Sequence, residues 1–240
     1  MIFKHKFRTG FKDVGMTGFT TNKSIQTNMV DAAGFHSELA GYGVTAMPET
    51  KVTWVMLEWK LEVLKRTIYG QEITIETWTK SPKKYFSIRD YKYVDENGTV
   101  YAKATSKWVL IDLETDSMKQ IPNELIATYG PEDNIDLFED DFEKQRDLDE
   151  YDFVKSLTVS KNTLDINKHV NNANFIDFAY DIIPFEEFNN EEFNNVRITY
   201  KHEIKYGDIV KAFYKKYEDK KVVVLKTEDE KEIHAIITLK

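Results

Sequence analysis

The chain has 240 residues, of which 41% are hydrophobic, enough for the core of one large domain or two small ones. A formal net charge of −8 argues against general nucleic-acid binding, and the lack of cysteine excludes disulfides, thiolate metal sites and a cysteine nucleophile. No apolar run approaches the ~20 residues that span a bilayer, so we expect a soluble, cytoplasmic protein without membrane insertion.

The first half opens with a strand and a helix and then becomes rich in strands. Residues 2–9 alternate and predict a strand, and residues 22–39 carry apolar side chains at helical spacing. Four further strands are predicted, at residues 54–63, 72–78, 85–94 and 100–111. The last two flank Asn97-Gly98, a hairpin signal because both residues tolerate positive φ.

The second half repeats this order of elements. Residues 131–150 are acidic and poor in β-formers, and we interpret them as a linker between a domain at 1–130 and another at 151–240. The elements predicted after the linker are a strand at 152–159, a helix at 173–183 and strands at 195–200, 208–217, 221–227 and 233–239. The residues alone therefore predict an α+β chain with an internal repeat.

The most informative stretch precedes the second helix. Polar side chains occupy every second position in Asp165-x-Asn167-x-His169. In an extended chain these three share one face, and we expect them to approach the N-terminus of the helix, with Asn171 or Asn172 as its N-cap. Unpaired N–H groups at such a terminus suit an oxygen that gains negative charge. Read alone, however, the pattern is also typical of an ordinary turn and cap.

Local matches align the two halves. Asn22-Lys-Ser24 aligns with Asn167-Lys-His169, and Tyr69-Gly70 aligns with Tyr206-Gly207. In this alignment Ser24 lies opposite His169 and Arg66 lies opposite Glu203. The first half has no comparable acid–base set, so we expect one active site in the chain.

Ordered landmarks along the chain carry a family resemblance. Asp165-x-Asn167-x-His169-Val-Asn-Asn, with Glu203 downstream, resembles the active-site motifs of the acyl-acyl carrier protein (acyl-ACP) thioesterases of plants and bacteria. Earlier matches occur in the same order as in that family, at Thr53-Trp54-Val55, Ile75-Glu-Thr-Trp78, Asn97-Gly98 and Ser106-Lys-Trp108. Many relatives carry a cysteine just after the glutamate, whereas this chain has Ile204 there.

The resemblance implies a fold and an activity. The fold is a double hot-dog, meaning two helix-wrapped antiparallel sheets in one chain, expected to join as one continuous sheet. The activity is hydrolysis of fatty acyl-ACP to free fatty acid and holo-ACP, without a cofactor or metal. The N-terminal repeat would shape the acyl pocket and the C-terminal repeat would carry the catalytic residues. The sequence lacks the Ser- and Arg-rich transit segment expected of a plastid-targeted relative, which favours a bacterial-type member. Hot-dog proteins often pair, so a homodimer is a candidate, and the oligomeric state stays open.

The resemblance assigns Asp165, Asn167, His169 and Glu203 to the catalytic network. Thioester hydrolysis needs an activated water or nucleophile and a stabilised oxyanion. Glu203 or His169 is the candidate general base, and Asn167 can hold His169 or the water. Asp165 either orients the network or attacks the carbonyl to give an anhydride. The residues do not choose between these routes.

Two basic clusters are candidate docking surfaces for an acidic carrier protein. They comprise Lys80, Lys83 and Lys84, and separately Lys201, Lys205, Lys211, Lys215 and Lys216. Three alternatives to the leading function remain open here: an acyl-CoA thioesterase, a hot-dog dehydratase, and a non-catalytic acyl-binding module.

Overall fold

The computed structural model describes residues 1–138 and 142–240. The chain divides into two compact units, Met1–Asp141 (unit 1) and Phe142–Lys240 (unit 2). Within the predicted linker, residues 139–141 lie outside the described residues. Among the helices that are described, none combines the length and apolar character needed to cross a bilayer.

Unit 1 is an antiparallel sheet around one long helix. Its elements are β1 (Phe3–Arg8), α1 (Asn22–Leu39), α2 (Met47–Thr50), β2 (Val52–Val63), β3 (Glu72–Thr79), β4 (Phe86–Val94), β5 (Val100–Asp112), β6 (Ser117–Lys119) and α3 (Asn123–Tyr129). The strand order is β1-β3-β4-β5-β2, and the short β6 pairs with β5. The predicted strands and the long helix are all present, while β6 and the one-turn α2 were not predicted.

Helix α1 begins where its polar side chains replace missing backbone partners. Thr21 is the N-cap, and it forms a reciprocal capping box with Ser24. Buried apolar residues at helical spacing, among them Ile25 and Met29, face the sheet. The chain leaves the helix through Gly41, whose φ of 78° a side chain would disfavour.

The β4–β5 hairpin differs in one detail from the sequence prediction. Gly98 has a φ of 80°, but Asn97 does not adopt positive φ. The Asp95 carboxylate instead accepts hydrogen bonds from the backbone N–H groups of Asn97 (2.9 Å) and Thr99 (2.8 Å). This side-chain acceptor stabilises a longer loop than the two-residue turn, and the strand register shifts beside it, between Tyr93 and Val94.

A buried histidine lies in the core of unit 1. His36 on α1 is fully buried, stacks on Phe3 and accepts from the buried guanidinium of Arg89 at 3.1 Å through Nδ1. Burial, followed by the charges of Arg89 and the N-terminus, lowers the pKa of His36 to about 4. The ring is therefore neutral in the folded protein at neutral pH.

This histidine makes unit 1 less stable in mild acid. Between its unfolded pKa of 6.5 and its folded pKa of about 4, the unfolded chain binds the proton and the folded chain does not. Stability is then lost as the pH falls through this window, by up to about 3 kcal/mol for a shift of this size.

Urea unfolding at several pH values measures this loss, followed by tryptophan fluorescence because all four tryptophans lie in unit 1. We expect His36→Gln to flatten the pH dependence, while His5→Gln leaves it unchanged. An identical slope in His36→Gln and the wild type would contradict the assignment.

Unit 2 repeats the plan of unit 1. Its elements are β7 (Phe153–Thr158), α4 (Asn174–Ile182), α5 (Phe185–Asn190), β8 (Asn195–Tyr200), β9 (Ile209–Lys216), β10 (Lys221–Lys226) and β11 (Ile233–Leu239). Its antiparallel order, β7-β9-β10-β11-β8, is the order of the five main strands in unit 1. Each unit is thus a hot-dog fold, which confirms the predicted fold class; the short α5 was not predicted.

The segment predicted as a linker packs onto the unit on its own side. Asp133 accepts from the backbone N–H of Ser81 at 2.7 Å in unit 1. In unit 2, the Gln145 amide donates to Thr199 at 2.9 Å and to the Ile236 carbonyl at 3.1 Å. The described parts of the acidic segment 131–150 are therefore polar stretches of chain, each of which contacts its own unit through hydrogen bonds.

Candidate functional site

The Asp165–His169 stretch is a tight turn, so the prediction of an extended approach is wrong. Leu164 and Val170 form an antiparallel bridge, and the Asp165 N–H donates to the His169 carbonyl at 2.8 Å. Lys168 takes a φ of 64° at the turn. The chain reverses direction between Asp165 and His169 instead of running straight to the helix.

The Asp165 side chain adds hydrogen bonds that stabilise this turn. Its Oδ1 accepts from the backbone N–H of Asn167 at 2.8 Å and from that of His169 at 3.3 Å. A short side chain that binds its own downstream backbone competes with strand pairing. A sequence pattern with a period of two residues does not reveal this competition. Such a pattern indicates only which face of a strand each side chain would occupy, and carries no information on local hydrogen bonds.

A neighbouring segment brings the glutamate to the histidine. The Val170 N–H donates to the Ile204 carbonyl at 2.8 Å, and His169 bridges Lys205 in antiparallel fashion. Residues two apart on such a segment share a face, so Glu203 and Lys205 both lie on the His169 side. The His169 Nε2 and Glu203 Oε2 atoms are 3.5 Å apart, although 34 residues separate them in sequence.

Lys205 is a site residue that the sequence analysis did not assign to the catalytic network. Its Nζ lies 2.6 Å from Glu203 Oε1, on the carboxylate oxygen opposite the one that faces His169. The hydrogen bond from Lys205, with smaller contributions from the charges of His169 and His202, holds the pKa of Glu203 below its ordinary value of 4.5. The Glu203 carboxylate is therefore ionised at neutral pH.

The N-terminus of α4 has fewer available donors than expected. The N-cap is Ala173, without a side-chain hydrogen bond, and not Asn171 or Asn172 as predicted. Asn171 Oδ1 instead accepts from the Ala173 N–H at 3.0 Å, and the Asn171 N–H donates to the Thr163 carbonyl. Among the described residues, the Asn172 N–H of this segment has no acceptor.

The Asn167 side chain is exposed and, within the described residues, makes no hydrogen bond to His169. Its amide remains available to a water or a substrate carbonyl. The structure thus brings His169, Glu203 and the Asp165 turn together in unit 2. No group of three acidic or histidine side chains suited to a metal occurs in the described ranges.

Unit 1 contains the same turn without the acid–base side chains. Residues 11–20 and 161–170 both run through a single turn of 3-10 helix, a β-bridge residue, a tight turn and two further bridge residues. The β-bridge between Phe19 and Ile68 in unit 1 corresponds to the one between His169 and Lys205 in unit 2. The alignment of Ser24 with His169 is therefore wrong, because Phe19 occupies the equivalent position. The alignment of Arg66 with Glu203 agrees with this register.

The equivalent residues in unit 1 cannot perform the same chemistry. Gly15, Thr17 and Phe19 stand where unit 2 has Asp165, Asn167 and His169. The Arg66 guanidinium donates to the Thr20 carbonyl at 2.9 Å. The turn geometry is thus retained in unit 1 by the backbone, whereas its proton-transfer groups are absent.

Most lysines of the two predicted basic clusters are held in ion pairs. Lys80 contacts Asp90 at 3.6 Å and also pairs with Asp136. The further pairs along β9 are Lys211 with Glu230 at 2.5 Å, Lys215 with Asp152 at 3.0 Å and Lys216 with Glu187 at 3.0 Å. Among described lysines near the site, Lys161, Lys168 and Lys201 form no ion pair.

Two family profiles together match most of the chain. The profile of the acyl-ACP thioesterase N-terminal domain matches residues 1–129, and that of the C-terminal domain matches residues 146–239. The chain belongs to the acyl-ACP thioesterase family.

Individual relatives agree with this membership. The chain is 26% identical to a chloroplastic acyl-[acyl-carrier-protein] hydrolase of Cuphea viscosissima, over 85% of this chain and 52% of that protein. It is 25% identical to an oleoyl-acyl carrier protein thioesterase of Arabidopsis thaliana, over 88% of this chain and 62% of that protein. The chain thus spans between half and two thirds of the length of these curated relatives.

Solved structures share the fold. A Bacteroides thetaiotaomicron acyl-ACP thioesterase superposes with a TM-score of 0.88 at 22% identity, covering 99% of this chain and 96% of that one. The 12:0-ACP thioesterase of Umbellularia californica gives a TM-score of 0.87 at 20% identity, covering 100% and 96%. The double hot-dog architecture is therefore common to these proteins and to this chain.

Proposed function

We propose that this chain hydrolyses the thioester of a fatty acyl-ACP to release a free fatty acid and holo-ACP. The observation that carries the proposal is the approach of His169 to an ionised Glu203 beside the turn built by Asp165, in a member of this family. Unit 2 has the catalytic role in this proposal. We assign acyl binding to unit 1, whose equivalent turn lacks the reactive side chains.

His169 is the general base in the mechanism that we propose. Its Nε2 faces Glu203, so in the neutral ring the proton resides there and Nδ1 accepts the proton of the attacking water. The Glu203 carboxylate then stabilises the imidazolium that forms. The Asn172 N–H and the Asn167 amide are the candidate donors to the oxyanion. Collapse of the tetrahedral intermediate expels the pantetheine thiolate, which the imidazolium protonates.

The experiment that tests this function uses purified protein with a panel of acyl-ACPs of different chain length. We expect thiol release with matching free fatty acid as product. Faster turnover of matched acyl-CoA substrates would make the chain an acyl-CoA thioesterase instead. Tight acyl retention without thiol release would make it a binding module, and water loss from 3-hydroxyacyl-ACP a dehydratase.

The acid limb of the rate profile should depend on Lys205. Because the hydrogen bond from Lys205 lowers the pKa of Glu203, its removal in Lys205→Met should raise that pKa. Because the His169–Glu203 pair needs Glu203 ionised, the variant should lose activity at a higher pH than the wild type as the pH is lowered. Measurement of kcat/KM against pH checks this, with Lys211→Met as the control in the same unit. A profile shifted to lower pH, or unmoved, would refute this role of Lys205.

The carrier protein is proposed to dock on the unpaired lysines around the catalytic turn. Lys161, Lys168 and Lys201 are exposed on an otherwise acidic chain, and an ACP is acidic. Exposed charges of this kind mainly steer association and are screened by salt. A homodimer, a bacterial source and a cytoplasmic location belong to the same proposal, and the lack of cysteine is compatible with a reducing compartment.

Charge reversal distinguishes docking at Lys161, Lys168 and Lys201 from docking at the cluster of Lys80, Lys83 and Lys84. We expect Lys168→Glu with Lys201→Glu to lower kcat/KM for acyl-ACP about tenfold at low salt, by slower association, and less at high salt. Lys83→Glu, from the other cluster, should have no effect. Hydrolysis of a small acyl-pantetheine by the double variant serves as the control for intact chemistry. Equal loss on both substrates would argue against docking at these lysines.

A further inference from the structure

The turn of unit 1 has an apolar surface where unit 2 has a basic one. Around the catalytic turn, unit 2 carries Lys161, Lys168, Lys201 and Lys205, all exposed. The equivalent positions in unit 1 are Phe11, Gly18, Leu64 and Ile68, which are also exposed. Three of these four basic positions thus carry exposed apolar side chains in unit 1, and the fourth is a glycine. Exposed patches of this kind commonly mark interaction sites.

Five exposed side chains on and beside the turn of unit 1 form what we call the apolar rim. Its members and their exposed fractions are Phe11 (86%), Met16 (73%), Phe19 (41%), Ile68 (54%) and Tyr69 (63%).

Contacts join the rim into one surface. The rings of Phe11 and Tyr69 meet edge to face at 6.2 Å, and Phe19 bridges Ile68. The Gly15 N–H donates to the Phe19 carbonyl at 2.8 Å and closes the loop that carries Met16. The rim therefore consists of loop tips held together by backbone bonds.

Basic groups surround the rim. Arg8, Lys12 and Lys65 are exposed next to these loops, and Arg66 binds the backbone directly after Phe19. The neighbouring Asp13 is buried, where its carboxylate accepts from Gly10 N–H at 2.7 Å and Asn28 at 3.2 Å. Exposed Asp31 on α1 is close enough to Lys12 to interact with its charge. Glu72 lies 4.0 Å from Arg8 and offsets its charge, so Lys12, Lys65 and Arg66 are the groups that make the local charge positive on a chain of net charge −8.

We propose that the apolar rim contacts one leaflet of an anionic lipid bilayer and holds unit 1 at the membrane surface. Apolar and aromatic side chains at loop tips enter the interface between headgroups and acyl chains, and adjacent Lys and Arg side chains bind anionic headgroups. Such contact with one leaflet does not require a segment that crosses the bilayer. It also does not depend on thioester hydrolysis, so it stands apart from the proposed function.

Charge and shape favour a bilayer over a second copy of the chain. A two-fold dimer through the rim would place the same patch of each copy against the other. Lys12, Lys65 and Arg66 would then face their own counterparts, and like charges repel. The exposed side chains also project from separate loop tips, whereas a stable protein interface presents a packed face.

Vesicle flotation of the full chain tests the proposal. We expect the wild type to float with vesicles of phosphatidylglycerol and phosphatidylcholine, and less with phosphatidylcholine alone. Phe11→Ser with Ile68→Ser should lower the bound fraction about tenfold or more, because each large apolar side chain contributes strongly to transfer from water. The matched control is Leu39→Ser, an apolar residue that is 73% exposed at the end of α1 outside the rim. Lys12→Glu with Lys65→Glu should weaken binding to the anionic vesicles alone.

Three outcomes would overturn the proposal. The first is a wild type that does not float with anionic vesicles. The second is equal flotation of the rim variant and the Leu39 control. The third is a wild-type dimer in sedimentation that the rim variant converts to a monomer, which would assign the rim to a second copy. A thermal melt of each variant, followed by circular dichroism, distinguishes lost binding from lost folding.

Discussion

His169→Ala and Glu203→Gln should each lower kcat for acyl-ACP hydrolysis by about two to four orders of magnitude, with little change in KM. This is the range expected when a positioned proton-transfer group is removed. The two side chains lie 3.5 Å apart and act as one unit in proton transfer, so we expect the double variant to lose little more than either single one. Steady-state kinetics on one acyl-ACP measures all three.

The matched control is His202→Ala. His202 is exposed and immediately precedes Glu203, and its backbone N–H donates to the His234 carbonyl at 3.2 Å. We expect this variant to keep wild-type kcat, since its ring is not needed for proton transfer. Full activity in His169→Ala, or losses in the single variants that multiply in the double variant, would contradict the proposed pair.

Asp165 should tolerate an amide but not an alanine. Both contacts of Oδ1 are to backbone N–H groups, at 2.8 and 3.3 Å, and an asparagine oxygen can accept the same bonds. We therefore expect Asp165→Asn to retain kcat within about tenfold and Asp165→Ala to lose about a hundredfold, because a loosened turn displaces His169.

Asp95 provides the control for Asp165. Its carboxylate accepts from the N–H groups two and four residues ahead, as that of Asp165 does, but it lies in the β4–β5 hairpin of unit 1. Asp95→Ala should lower stability and leave kcat unchanged. If Asp165→Asn were as inactive as His169→Ala, the carboxylate itself would react, and a search for an acyl-anhydride by mass spectrometry after rapid quenching would follow.

Much of the fold is determined by local patterns in the sequence. The alternation in residues 72–78 and 54–63 predicts β3 and β2, and helical spacing in 22–39 predicts α1. These predictions hold because a strand or helix with one buried face has apolar residues at the spacing that places them on that face. The repeat of the element order is visible for the same reason.

The repeat register was decided only by the structure. The short sequence match placed Ser24 opposite His169. Superposition of the turn registers instead places Phe19 opposite His169. Backbone hydrogen bonds keep these two turns alike, and they put little demand on side-chain identity. The two turns therefore have similar backbone geometry although their residues differ. Gly18 and Lys168, for example, both adopt positive φ.

The residues by themselves predicted an α+β chain with an internal repeat and no comparable acid–base set in its first half. The double hot-dog fold and the candidate residues Asp165, Asn167, His169 and Glu203 followed from the family resemblance of the sequence. Only the tertiary structure decided that Asp165 builds a turn and that Lys205 contacts Glu203. The physical reason is that element type follows from local burial patterns, whereas a site depends on directional contacts. Those contacts join residues distant in the chain, and single-sequence periodicity carries no information about which carboxylate oxygen meets which partner.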